Sequence, residues 1–446
     1  MNRRRLLQEV RLRDFRCFHE KQTARLAPLT LLVGENSTGK TSFLAAIRAA
    51  CEAAAERIEP DFRKPPYDLG PFAGIAHSRG GRGGSADSFE IGLSGGSPRR
   101  QIKFDATFES QAAVPTAVLM SWQTENVWIR HPIGGAEIIL DLGSAKGSWR
   151  FTIEPIFDNI WAIFAYILPQ IIHAMDETDE SLGRFQKLAG SLGRPDEKDL
   201  ESFSILLDRF RRVFWGRQPF AGAPIRSSPR RTYDPTGQLQ DPEGAYVPSY
   251  LASMHFRSQQ KWGALKKKLE DFGRKSGLFD EIGVRQLGRT EGGPFQLQIR
   301  KFANNKKKGP RRNLIDVGYG VSQTLPVLAE LFRPDGASIF LFQQPEVHLH
   351  PSAQAALGSL LCETAATGRQ LIIETHSDFI INRVRMDIRD GTTALNPNDV
   401  SLLFFERSDL DVRIHSLGFD ELGNVLGAPH SYGQFFMDEM RRSVGF

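Results

Sequence analysis

Apolar and polar positions follow two rhythms along this chain, and each predicts a kind of element. Val10, Leu12, Phe15 and Phe18 mark a first strand. Leu29-Thr30-Leu31-Leu32-Val33 is a short continuous apolar run, the pattern of a strand buried on both faces. A helical period begins at Ser42-Phe43-Leu44 and runs to about Ala55. A Pro/Gly-rich loop spans 59–88, and period two returns at Phe89–Leu93 and Ile102–Phe108. From 113 to 215 the pattern is mixed and becomes helical towards its end. A mainly helical insertion is therefore expected over 113–219, between N-terminal (1–112) and C-terminal (220–446) halves.

In the C-terminal half, Trp262, Leu265, Leu269 and Phe272 recur at helical spacing beside Lys266, Lys267 and Lys268, an amphipathic helix. Phe295–Arg300 alternates and enters a basic turn, 305–312, which predicts a hairpin. Ser338–Phe342 and Gln370–Ile373 are apolar strands ending in polar residues, with a helix expected over 351–366 between them. Strands alternating with helices predict an α/β fold.

Where the first buried strand meets the first helix, the chain reads Gly34-Glu35-Asn36-Ser37-Thr38-Gly39-Lys40-Thr41-Ser42. This fits the phosphate-binding pattern G-x-x-x-x-G-K-[ST] in its required context, after a strand and before a helix. Glycines let backbone N–H groups turn toward phosphate oxygens, and the helix N-terminus adds its positive end. ATP is the expected ligand, with Lys40 on its β/γ-phosphates and the Thr41 hydroxyl on Mg²⁺.

Composition narrows the class without choosing it. The net charge of +5 is compatible with nucleic acid and does not require it. Cys17, Cys51 and Cys362 lie far apart without metal spacing, which predicts free thiols in a reducing cytoplasm. No apolar core follows Arg3-Arg4-Arg5, so a signal peptide is not expected. The most apolar stretch, Ile160–Leu168, is too short to cross a bilayer and predicts a buried helix instead of membrane insertion. Two basic segments remain as candidate phosphate or nucleic-acid contacts: Arg226, Arg230 and Arg231 in a proline-punctuated loop, and Lys306, Lys307 and Lys308 in the predicted hairpin turn.

Three later segments complete a candidate site. Gly318-Tyr319-Gly320-Val321-Ser322-Gln323 is a glycine turn at a helix start, where Ser322 reads either as a cap or as an anion-binding hydroxyl. Gln343-Gln344-Pro345-Glu346 and Glu374-Thr375-His376-Ser377 follow buried strands, where α/β sheets place ligands. His348 and His350 lack a nearby third ligand, so a zinc site is not expected.

In order and spacing these motifs resemble the ABC/SMC-like ATPases of the RecF and OLD kind, and most nearly stand-alone heads related to the Septu defence ATPase. V-x-L-x-x-F-R-x-F at Val10 to Phe18, G-E-N-S-T-G-K-T, G-Y-G-V-S-Q, Q-P-E-V-H-L-H-P and E-T-H-S-D carry the likeness. The loop around Arg226 and the closing Gly433-Gln434-Phe435-Phe436 also fit it. The resemblance implies a head with a mixed sheet that dimerises on ATP, a phosphate loop facing the partner's signature residues Gly320, Ser322 and Gln323. It implies that His376 senses the γ-phosphate and that His348-Leu349-His350 crosses between subunits. It further implies a sensor in anti-phage defence that gates a separate nuclease or toxin. That effector is expected to be a separate protein, because the chain ends soon after the last ATPase strands. A RecF-like DNA clamp is the alternative.

The chain departs from that family at one place. Gln343 and Gln344 stand where an acidic metal-holding residue and a Glu or Gln are usual. By position, Gln343, Gln344 and His376 are the catalytic candidates, and Thr41 with Gln343 the Mg²⁺ candidates. Amides orient water but neither take its proton nor neutralise a cation. Either the amides are natural and make a slow ATPase or ATP sensor, or Gln343 replaces an acid and traps the ATP-bound state. Glu346 and Glu374 are the nearby carboxylates that could substitute.

Overall fold

The computed structural model describes residues 7–55, 60–81, 84–97, 100–125, 127–133, 137–142, 147–152, 197–214, 218–235, 239–288, 292–303 and 307–433. In chain order the N-terminal half forms β1 (Leu7–Arg13), β2 (Gln22–Arg25), β3 (Leu29–Gly34), α1 (Lys40–Ala55), β4 (Ser88–Ser97) and β5 (Arg100–Gln111). There follow β6 (Val114–Gln123), β7 (Val127–Pro132), β8 (Glu137–Leu142), β9 (Gly147–Thr152) and α2 (Glu197–Val213). The C-terminal half opens with β10 (Phe220–Gly222), α3 (Val247–Arg257), α4 (Gln259–Ser276), β11 (Glu281–Gln286), β12 (Phe295–Arg300) and β13 (Arg312–Asn313). It continues with α5 (Tyr319–Phe332), β14 (Ile339–Gln343), α6 (Pro351–Ala366), β15 (Gln370–Glu374) and α7 (Asp378–Arg389). It closes with β16 (Val400–Ser408), β17 (Asp411–Phe419) and β18 (Val425–Leu426).

Among the described residues three sheets form. The central one runs β10-β14-β15-β3-β16-β17-β18, parallel from β10 to β16 and antiparallel beyond. An antiparallel sheet runs β2-β1-β4-β5-β6-β7-β8-β9, and β11-β12-β13 form a small third sheet. The chain is therefore α/β with a mixed sheet, as expected.

Continuous apolar strands follow from having a core on each face. Leu32, Leu341, Ile372 and Leu403 face α1 and the antiparallel sheet. Leu31, Val33, Phe342, Ile373 and Leu402 face the helices on the other side. The small residues Ala45, Ala46, Ala49, Ala50, Ala53 and Ala54 let α1 lie buried between the two sheets. Trp262, Leu265, Leu269 and Phe272 form the buried face of α4, as their spacing predicts.

The mainly helical character expected from residue 113 onward fails over 114–152. β6 to β9 extend the antiparallel sheet there, each strand pairing with the one before it. Alternation is present, with Val127, Ile129 and His131 inward on β7. Its contrast is blunted because Val114, Leu119 and Trp128 are apolar and exposed. α2 is helical, whereas the apolar stretch 160–168 and the closing residues 434–436 lie outside the described residues. The predicted hairpin is present as β12 paired with β13. Among the described residues no helix is long and apolar enough to cross a membrane.

Candidate nucleotide site

β3, β14 and β15 run parallel, and their C-terminal ends lie side by side, with Gln343 directly opposite Glu374. The loop after β3 needs its glycines. Gly34 has φ 141° and Gly39 φ 84°, in the region that favours glycine. A Cβ at Gly34 would stand 2.5 Å from the Phe405 carbonyl oxygen, and one at Gly39 would stand 2.3 Å from Cys17 Sγ. Ser37 takes φ 61°, and the Arg407 guanidinium donates to its carbonyl. Glu35, Asn36 and Ser37 form the exposed crown of the loop, and Thr38 is buried beneath it. The Thr38 hydroxyl donates to the Glu35 carbonyl at 2.8 Å.

Lys40 is 3% exposed, and its ammonium is held inside the loop's curve. Nζ donates to the Gly34 carbonyl at 3.0 Å and to the Glu35 carbonyl at 2.6 Å. Burial pushes its pKa below the ordinary lysine value, against the pull of Glu374 and Glu35. On the next residue, the Thr41 hydroxyl donates to Glu374 Oε2 at 2.9 Å.

Polar groups at the ends of β14 and β15 brace one another. The Gln344 N–H donates to the Glu374 carbonyl at 2.8 Å, and Gln344 takes a positive φ of 42°. Glu346 Oε1 accepts from the Thr375 hydroxyl at 2.8 Å and from the His376 N–H at 2.9 Å. Burial raises the pKa of both Glu346 and Glu374 above the usual carboxylate value, despite these donors. Gln343 is 5% exposed, and its Nε2 has no hydrogen-bonded partner among the described residues. The buried Tyr67 hydroxyl interacts with Gln343 but falls outside hydrogen-bond geometry. His376 is exposed at the mouth, where partial burial of its ring and then the Lys40 charge lower its pKa.

The glycine turn before α5 packs against the loop after β14. Tyr319 meets the His348 ring edge-on at 5.3 Å, and a Cβ on Gly320 would stand 2.8 Å from the His348 carbonyl oxygen. Ser322 is not the cap of α5, since Gly318 holds that position; its Oγ donates back to the Tyr319 carbonyl at 2.9 Å. It lines a cavity of about 330 Å³ together with Ser227, Ser228, Arg230 and Tyr233. His350 caps α6 by accepting from the Ser352 N–H.

The basic candidates separate. Arg226 is 4% exposed, and its guanidinium is turned inward onto the end of β14 rather than outward to a nucleic-acid backbone. Its Nη2 donates to the carbonyls of Gln343 (3.4 Å) and Gln344 (3.5 Å), and its backbone is clasped at both ends by the Gln323 amide. Burial lowers its pKa to about 10, with Glu346 opposing. Gln323 is thus a brace for Arg226, 97 residues away. Arg231 makes a two-pronged pair with Asp316, whereas the Arg230 side chain is exposed. Lys308 pairs with Glu281 at 3.3 Å, Lys307 is exposed, and Lys306 lies outside the described residues.

Three contributors were not legible in the sequence: the Thr41–Glu374 bond, the Arg226–Gln323 clasp and Arg407 on the loop crown. All join residues distant along the chain, and no local pattern announces them.

The site can be tested for fit to a magnesium nucleotide. Gly34 and Gly39 form a cradle that a Cβ would fill, and Thr41 with Glu374 presents the hard oxygen donors that Mg²⁺ prefers. The residues fit. Residues 175–382 match the family model described as "AAA domain, putative AbiEii toxin, Type IV TA system", and residues 9–132 match another AAA-domain family. Among solved structures, an Smc head bound to the C-terminal winged-helix domain of ScpA is similar at 10% identity and TM-score 0.48, covering 93% of this chain and 98% of that one. The SMC head domain from Thermotoga maritima is similar at 13% identity and TM-score 0.37, covering 92% and 98%. Both are distant likenesses. No curated protein matches the chain. Two stretches of the chain are thus similar to AAA domains, and the glycine-rich loop lies at the end of a parallel strand.

Proposed function

We propose that this chain binds ATP with Mg²⁺ in the loop from Gly34 to Thr41 and uses it to hold two copies head to head. The observation that supports this most is Lys40, buried with its ammonium inside a loop whose glycines leave no room for side chains. Loop N–H groups and Lys40 would grip the phosphates, while Thr41 and the strand ends would hold the cation. When bound, Mg²⁺ supplies charge neutralisation and polarises the terminal phosphate. The Gln343 and Gln344 amides can orient water without taking its proton, so hydrolysis is slow. His376, neutral at pH 7 by the direction of its pKa, is placed to accept or donate one hydrogen bond at the mouth.

In this reading the α5 turn, with Gly320 and Ser322, meets the partner's nucleotide, and closure gates a separate nuclease or toxin in anti-phage defence. The toxin–antitoxin wording of the matched family model is compatible with such a role. The DNA-clamp alternative is weakened by the burial of Arg226 and the pairing of Arg231. Lys40→Ala should abolish ATP-dependent association in light scattering. Normal assembly of that variant on nucleotide would defeat the clamp.

A further inference from the structure

β14 ends at Gln343 and is followed by Gln344, so this strand end carries amides where the resemblance implies an acid. The structure provides one from the adjacent strand. β15 lies between β14 and β3, and its last residue, Glu374, pairs in register with Gln343 on one side and Leu32 on the other. Glu374 Oε2 accepts the Thr41 hydroxyl at 2.9 Å, a contact across 333 residues of chain. The strand end is fixed by the Gln344 N–H on the Glu374 carbonyl.

Resting on the ATP-binding reading, we propose that Glu374 together with Thr41 holds the divalent cation, in the place that Gln343 cannot fill. Two observations single out Glu374. Glu374 is 6% exposed, and the Lys40 ammonium, whose charge reaches it, makes its hydrogen bonds to the Gly34 and Glu35 carbonyls. A buried carboxylate that accepts one hydroxyl and feels Lys40 through space, without a direct ion pair to it, keeps room to bind a hard cation. Glu346, the other nearby carboxylate, is committed elsewhere: its Oε1 takes the Thr375 hydroxyl and the His376 N–H, and it faces Arg226. Gln343, 5% exposed and with its Nε2 unpartnered among the described residues, offers an amide where a cation needs charge.

The test measures ATP affinity with and without Mg²⁺ by calorimetry, and binding of Mn²⁺ with nucleotide by electron paramagnetic resonance. The proteins are the wild type, Glu374→Gln, and Glu374→Gln combined with Gln343→Glu. In Glu374→Gln the metal-free affinity should rise, because a negative charge beside the phosphates is gone. The gain from Mg²⁺ should fall by roughly tenfold or more, the scale typical of losing a group that tunes a metal site. The double variant should regain that gain and the bound-Mn²⁺ signal, because it returns a carboxylate to the neighbouring strand end. An undiminished Mg²⁺ gain in Glu374→Gln would overturn the assignment while ATP binding stood. A wild type that binds no ATP with or without metal would overturn both.

Discussion

In the proposed ATP site the Gln343 amide can orient water but cannot take its proton, as a carboxylate could. Gln343→Glu should raise phosphate release by roughly tenfold or more, since a positioned acid–base group contributes at least that much. Equal rates would show that the amide is not what limits turnover. A second residue carries a pH dependence. Glu330 on α5 is 1% exposed; burial raises its pKa to about 7, while Arg333, Gln240 and Arg369 lower it and Asp241 raises it. The folded state then keeps a proton that the unfolded state releases above the ordinary value of 4.5. Stability from this group is present at low pH and is lost as pH rises through about 7. Glu330→Gln should therefore gain on the wild type in urea midpoint between pH 5 and 8; a constant difference would contradict it. At this scale the glycine turn and the buried Lys40 were legible, because the pattern that predicts them is contiguous from Gly34 to Thr41. Arg226 was not: its burial depends on Gln323, Gln343 and Gln344, far away in the chain.

Elements tell a similar story. The buried strands β3, β14 and β15 were readable because both faces are covered and nothing interrupts their apolar runs. β6 and β7 were missed because exposed apolar residues such as Val114 and Trp128 mask the period of two. The helix after β15 illustrates how a strand end is locked to its neighbours. Ser377 caps α7, accepting from the Ile380 N–H at 3.1 Å and donating to Gln354 on α6 at 2.5 Å. Ser377→Ala should cost about 1 kcal/mol of stability, the usual loss at such a cap. Chemical denaturation measures it directly, and no loss would mean that α7 is held by packing alone. Because His376 immediately precedes this cap, the same variant should also loosen the mouth of the site.

For the whole molecule, the central sheet brings Gly34, Gln343 and Glu374 to one edge although Gly34 lies hundreds of residues before the other two. That convergence was expected from apolar strands ending in polar groups, whereas the bond between Thr41 and Glu374 appears only once the strands are in register. In the proposed assembly, each nucleotide needs Lys40 from one copy and Ser322 from the other. Alone, neither Lys40→Ala nor Ser322→Glu can form an intact site, but a mixed pair of the two contains one.

That shared grip is measured most directly by mass photometry of the two variants, separately and mixed, with ATP and Mg²⁺. The account predicts monomers from each variant alone and dimers from the mixture. Dimers from Lys40→Ala by itself, or none from a mixture whose wild-type control dimerises, would contradict it.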